Sequence, residues 1–146
     1  MAITQAIANS FKKELLEGEH NFKSAGGDVF KLALYTAGAT LTSATTAYIT
    51  SGEVAASGQY SAGGGDLVNA GTSMTAGVAR VDFNNLSFTG VTLTARGALI
   101  YNTSATATNA AVAALDFGSD KTATSGTFTI QFPAATSTAA ILRISG

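Results

Sequence analysis

Between Thr94 and Pro133 the chain reads TARGALIYNTSATATNAAVAALDFGSDKTATSGTFTIQFP, and the end of this stretch decides the fold. In Thr127-Phe128-Thr129-Ile130-Gln131-Phe132 every second side chain is a large hydrophobe. Successive strand side chains point to opposite faces, so the pattern predicts one buried and one wet face, with Phe128, Ile130 and Phe132 in a core. Pro133 has no N–H to donate to a ladder and marks the strand's end. Upstream, Ala95 to Asn102 and Ala111 to Phe117 carry little polar interruption, as expected of strands covered on both faces. The stretch predicts three successive β-strands.

Working outward from there, Leu86 and Phe88 share a parity that Val91 and Leu93 do not. A bulge or turn at Gly90 would return all four to one side. Val78 to Phe83 predicts a strand with Ala79, Val81 and Phe83 on one face, and Leu67-Val68 another. Phe30, Leu32 and Leu34 alternate with Lys31, Ala33 and Tyr35, a further strand, and Glu53-Val54 starts a short one. Ala37 to Ser51 and Gly58 to Gly65 are too polar for a core and too long for tight hairpins. They are expected to be surface excursions, mobile in an isolated subunit. At the N-terminus Ile3, Ile7, Phe11 and Leu15 recur every four residues, which predicts an amphipathic helix over residues 1–18. Lys13 and Glu17 form an i,i+4 pair on it, and Gly18 is placed to cap its C-terminus. Its apolar face packs either on its own sheet or on a neighbouring subunit. Together these readings predict one domain over residues 1–146: a mainly β, antiparallel β-sandwich over 28–146, the jelly roll being one form of it, preceded by the helix.

Only 12% of the 146 residues are charged, and the net charge is −1. An electrostatic nucleic-acid binder needs a basic stripe, so that class is excluded. A surface covered by Thr, Ser, Ala, Gly and Asn has few charges to desolvate when another protein covers it, which suits an assembly subunit. With no cysteine, disulfides and thiolate metal sites are excluded. No apolar run reaches bilayer-spanning length, so no membrane partner is expected. Met-Ala-Ile-Thr-Gln lacks the basic start and hydrophobic run of a signal peptide.

No constellation of residues carries chemistry. His20 is the only histidine. It follows the helix between Glu19 and Asn21 with no nucleophile motif nearby, and is expected to be an ordinary surface residue. Gly63-Gly64-Gly65 lacks the Lys-Ser/Thr of a phosphate loop. Asp116 and Asp120 flank Phe117-Gly118-Ser119 without the ligand density of a calcium loop. No catalytic, cofactor-binding or metal-binding residue is therefore assigned. Arg80, Arg96 and Arg143 lie in apolar strand contexts, where each can pair with a carboxylate such as Asp82 or Asp116, at a sheet edge or a subunit contact. The interface candidates are Ile3, Ile7, Phe11, Tyr48, Tyr60, Arg80, Arg96 and Arg143. A carbohydrate- or host-recognition module would need aromatic platforms, and without tryptophan only Tyr48, Tyr60 and Tyr101 can serve.

Ser10-Phe-Lys-Lys-Glu-Leu-Leu-Glu-Gly18, Phe30-Lys-Leu-Ala-Leu-Tyr-Thr36, Glu53-Val54 with its following Gly-rich turn, and Ala95-Arg-Gly-Ala-Leu-Ile-Tyr-Asn102 together resemble small structural proteins of tailed bacteriophages. Ala113-Ala-Leu-Asp-Phe-Gly-Ser-Asp-Lys121 and Gly126-Thr-Phe-Thr-Ile-Gln-Phe-Pro133 fit the same group, so the resemblance covers most of the chain. It implies a virion protein assembled in the host cytoplasm, foremost a capsid decoration or cement protein. Such a protein would bind the major capsid protein or other virion proteins as a dimer or trimer and bridge capsomers. A tail or neck component is the alternative within the virion. The resemblance implies no catalytic residue and no cofactor.

Overall fold

The structure, a computed structural model, describes residues 2–133 and 140–145. In chain order the elements are β1 (Ala6–Ile7), α1 (Asn9–Leu16), β2 (Phe30–Tyr35), β3 (Gly65–Asp66), β4 (Asn69–Thr75), β5 (Val78–Phe83), β6 (Leu86–Asn102), β7 (Ala110–Ile130) and β8 (Leu142–Ile144). They form two antiparallel sheets, of order β1-β7-β6-β2-β3 and β4-β5-β8. The chain is mainly β with one short helix. Successive strands stay within one sheet for several steps, whereas a jelly roll alternates between its two sheets.

The larger sheet is built on a long hairpin of β6 and β7, 17 and 21 residues. The quoted stretch is therefore two strands and not three. Ala111 to Phe117 and Thr127 to Ile130 belong to one continuous β7, because β6 runs beside both and turns the apparent breaks into bulges. The register slips between Ala95↔Lys121 and Gly97↔Asp116, which throws Phe117 to Asp120 out of the ladder. It slips again between Phe88↔Phe128 and Val91↔Gly126, at Gly90. Gly90 has φ +64, in the left-handed region that suits glycine. Phe88, Val91 and Leu93 are consequently all buried, as the parity argument requires. Phe128, Ile130 and Phe132 are buried too, though the strand ends at Ile130.

At the hairpin's closed end β2 pairs with β6 from Phe30↔Asn102 to Tyr35↔Gly97. Leu32, Leu34, Leu99, Ile100 and Val112 are wholly buried there, covered on both faces of the sheet. The smaller sheet was only half legible. β5 was expected, but β4 reads Asn-Ala-Gly-Thr-Ser-Met-Thr, with no apolar alternation. It forms because Ala76 and Gly77 both take positive φ, 53° and 77°, the two-residue turn whose twist matches a hairpin. Phe83 at the end of β5 ties this sheet to the larger one. Its ring lies 5.7 Å from those of Phe30 and Phe132, and Phe22 stacks on Phe30 at 4.4 Å. Leu67-Val68 is the link between β3 and β4, and Glu53 makes a single bridge to Tyr35.

The N-terminus departs most from expectation. The helix is 8 residues long, not four turns over residues 1–18. Ile3 makes a parallel bridge to Leu41, and Ala6 and Ile7 pair with Ala114 and Ala113 of β7. A spacing of four is even, so it keeps side chains on one side of an extended strand as well as of a helix. Ile3 and Ile7 use the first option, Phe11 and Leu15 the second. All four still pack on the chain's own core, with Phe11 the most deeply buried. Gly18 closes the helix at φ +76, donating to the Leu15 carbonyl at 3.2 Å, and Lys13 meets Glu17 at 2.8 Å in solvent.

Candidate interaction surface

The excursion from Ala37 to Gly65 is not loosely attached. All four tyrosines gather around Glu53. Tyr48 donates to its Oε2, while Tyr60 and the Gly63 N–H donate to its Oε1 at 2.8 and 2.7 Å. Tyr101 stacks on Tyr48, ring centres 5.0 Å apart, and donates to the Gly63 carbonyl at 2.6 Å. Tyr35 donates to Ile49 O at 2.6 Å, and Tyr60 accepts from the Leu34 N–H at 2.8 Å. Burial disfavours each phenolate, so Tyr101 is pushed up to about 12, and Tyr35, Tyr48 and Tyr60 are raised as well. The composition of this segment concealed what orders it: a carboxylate and phenols far apart in sequence. Tyr60 and Tyr101 are buried and Tyr48 is partly covered, so none stands out as a platform.

His20 is likewise not a surface residue. Its imidazole is fully covered, against Phe11 at 4.7 Å and stacked near Phe22 and Phe30. Nε2–H donates to Glu14 at 3.0 Å, and Nδ1 accepts from Asn102 Nδ2 at 2.9 Å. Asn102 is wholly buried. Its amide also donates to Asp28 at 2.8 Å, and its carbonyl accepts from the Ser104 N–H at 2.8 Å. Those two neighbours fix the amide's orientation, and with it the ring's tautomer. The network joins the helix, the loop after it and the β6 end, a structural task. Nothing in the polar neighbours Glu19 and Asn21 signals that the residue between them turns inward.

The arginines divide. Arg96 sits opposite the β7 bulge, 3.8 Å from Asp116 and 3.6 Å from Asp120, so the expected carboxylate pairing is made within the chain. Arg80 does not pair with Asp82. Its Nη2 donates to Thr75 at 2.8 Å, while Nε and Nη1 are buried with no hydrogen-bond partner among the described residues. Arg80 and Arg143 stand directly opposite each other on β5 and β8, on the sheet face away from Val81 and Leu142. Among the described residues no three of His, Cys, Asp and Glu gather as a metal set, and no helix is long and apolar enough to cross a membrane.

What remains as a surface is the free half of the β6–β7 ribbon. Phe88, Val91, Leu93, Ala123, Phe128 and Ile130 fill its inner face. The outer face exposes Ser87, Thr92 and Thr94 on β6 and Thr122, Thr124, Thr127 and Thr129 on β7. Cross-strand hydroxyls bond to each other, Ser87 to Thr129 and Thr94 to Thr122, both at 2.9 Å. Thr92 Oγ1 accepts from the Ser125 N–H at 2.9 Å. The result is an ordered, uncharged hydroxyl array on a regular strand pair. The alternation of this ribbon is legible in the sequence, but the expected interface residues, Ile3, Ile7, Phe11, Tyr48, Tyr60 and the three arginines, all lie outside its hydroxyl face. No protein-family model, curated protein or solved structure matches this chain.

Proposed function

We propose that this chain is a structural subunit of a tailed-bacteriophage virion, foremost a capsid decoration or cement protein that binds the assembled head. The observation that carries the reading is the exposed hydroxyl face of the β6–β7 ribbon. It bears no charge, so a covering protein desolvates little, and two cross-strand hydroxyl pairs and Thr92 on it are already held by hydrogen bonds, which lowers the ordering entropy lost on contact. The sequence resemblance supplies the setting. A ligand that binds only the assembled shell stabilises that state by mass action. Location on the tail or neck is the alternative within the same reading. A carbohydrate-recognition role has less support, since Tyr48 and Tyr60 are committed to Glu53 and Tyr101 to the Gly63 carbonyl.

Mass spectrometry of purified particles followed by cryo-electron microscopy tests this. The expected result is the chain present in virions, with its ribbon face against the major capsid protein, and retained across a salt series because few charges are neutralised. Absence from purified particles overturns the proposal. Density at the tail or neck replaces the decoration role by the alternative.

A further inference from the structure

We infer that two copies of this chain pair through the open edge of β7, antiparallel and about a two-fold axis between Ser125 and Gly126. Among the described residues β1 is the only strand on the outer side of β7, and it covers Ala113 and Ala114 alone. From Lys121 to Ile130 no strand among the described residues pairs with that side, so a row of backbone donors and acceptors is available for pairing. A groove of about 750 Å³ runs beside this edge, lined by Phe117, Ala123, Phe128 and Ile130.

The occupant is set by the sequence of the edge itself. A strand pairing with β7 must match its faces, and β7 switches parity in mid-course. Thr122 and Thr124 are exposed on one side of the Ser125-Gly126 irregularity, Thr127 and Thr129 on the other, with Ala123 and Phe128 buried between them. An ordinary strand keeps a strict period of two and would be out of phase past the switch. Thr-Ala-Thr-Ser-Gly-Thr-Phe-Thr reads with the same pattern in both directions, so a second β7, reversed, is in phase throughout. In that register Thr122 faces Thr129 of the second copy, Thr124 faces Thr127, and Ser125 faces Gly126. Ala123 faces Phe128, small against large, so the incoming ring enters the groove that Ala123 leaves open. Pro133, which cannot donate, falls opposite the bulge at Gly118, and the ladder stops at both ends. Lys121 falls opposite Ile130 near those ends, where its stem covers apolar surface and its ammonium reaches water. The contact is isologous and closes on itself, and it makes the hydroxyl faces of the two ribbons one continuous surface.

The pairing rests on β7 alone, and the virion reading supplies only its setting. The chain has no native cysteine, so Thr124→Cys and Thr127→Cys variants report on register cleanly. Directly opposed residues lie about 5 Å apart at Cα, within disulfide reach, while residues three apart along a strand are about 10 Å away. On mild oxidation a mixture of the two single variants should give a mixed disulfide dimer, and neither variant alone should. The unmodified chain should sediment at twice its 14.6 kDa. An unmodified chain that sediments as a monomer, a disulfide dimer of either single variant alone, or a dimer that the mixture fails to cross-link each overturns the pairing. A monomer that still coats heads would overturn it and leave the proposed function standing. A cross-linked dimer absent from virions would do the reverse.

Discussion

Glu53 is held by three donors, two of them phenols, and those bonds fasten a long polar excursion to the sheet. Replacing it with Ala leaves the hydroxyls of Tyr48 and Tyr60 facing an apolar gap. The expected cost is about 3 kcal/mol, the range for losing hydrogen bonds to a charged group. Glu53→Gln keeps an acceptor and should cost less. Urea denaturation followed by tyrosine fluorescence orders the two variants, and an Ala variant with an unchanged midpoint would show that the cluster does not fasten the excursion. Phe11 makes a second test. It is 4% exposed, against His20 and Phe22. Phe11→Ala should cost about 3 to 5 kcal/mol, as other large core truncations do, and lower the melting temperature accordingly.

At the scale of elements, two glycines with similar backbone angles should respond differently. Gly64 has φ +82, and a Cβ there would lie 1.8 Å from the Leu32 carbonyl oxygen, so β2 itself would have to move. Gly90 has φ +64 at its bulge, but an added Cβ meets nothing within 4 Å. Gly90→Ala should therefore cost only the backbone strain, about 1 kcal/mol. Gly64→Ala should cost several times that and loosen the β2–β3 pairing. Thermal melts of both variants, with amide exchange at Lys31 and Leu32, check the difference. Equal effects would mean that the Gly64 contact yields easily.

For the whole molecule, the buried tyrosines set an alkaline limit. A phenol is neutral when protonated, and burial holds the folded-state values above the ordinary 10.0, with Tyr101 at about 12. The unfolded chain therefore loses these protons first. The stability they contribute is complete below pH about 10; the Tyr101 share is lost as pH rises through about 12, and those of Tyr35, Tyr48 and Tyr60 at higher pH still. Phenolate absorbance should appear together with loss of the β-sheet circular-dichroism signal, in one cooperative step. Four phenols ionising ahead of unfolding would contradict the buried cluster.

The sequence by itself determined whatever depends on neighbours along the chain. Period-two alternation placed β2, β5 and the buried Phe128, Ile130 and Phe132, and a parity conflict placed the bulge at Gly90. Low charge and missing motifs left an uncharged surface as the feature to explain. Only the tertiary structure decided features that depend on what lies alongside. The even spacing of Ile3 and Ile7 suits a strand as well as a helix, and pairing with Ala113 and Ala114 settles it as extended. Gly118 and Gly126 look like turns until β6 runs past them. His20 turns inward because Asn102, Glu14 and three phenylalanine rings receive it. Tyr48, Tyr60 and Tyr101 look like free aromatics until Glu53 gathers them. In each case a local pattern permits two conformations of similar energy, and packing partners far away in sequence choose between them.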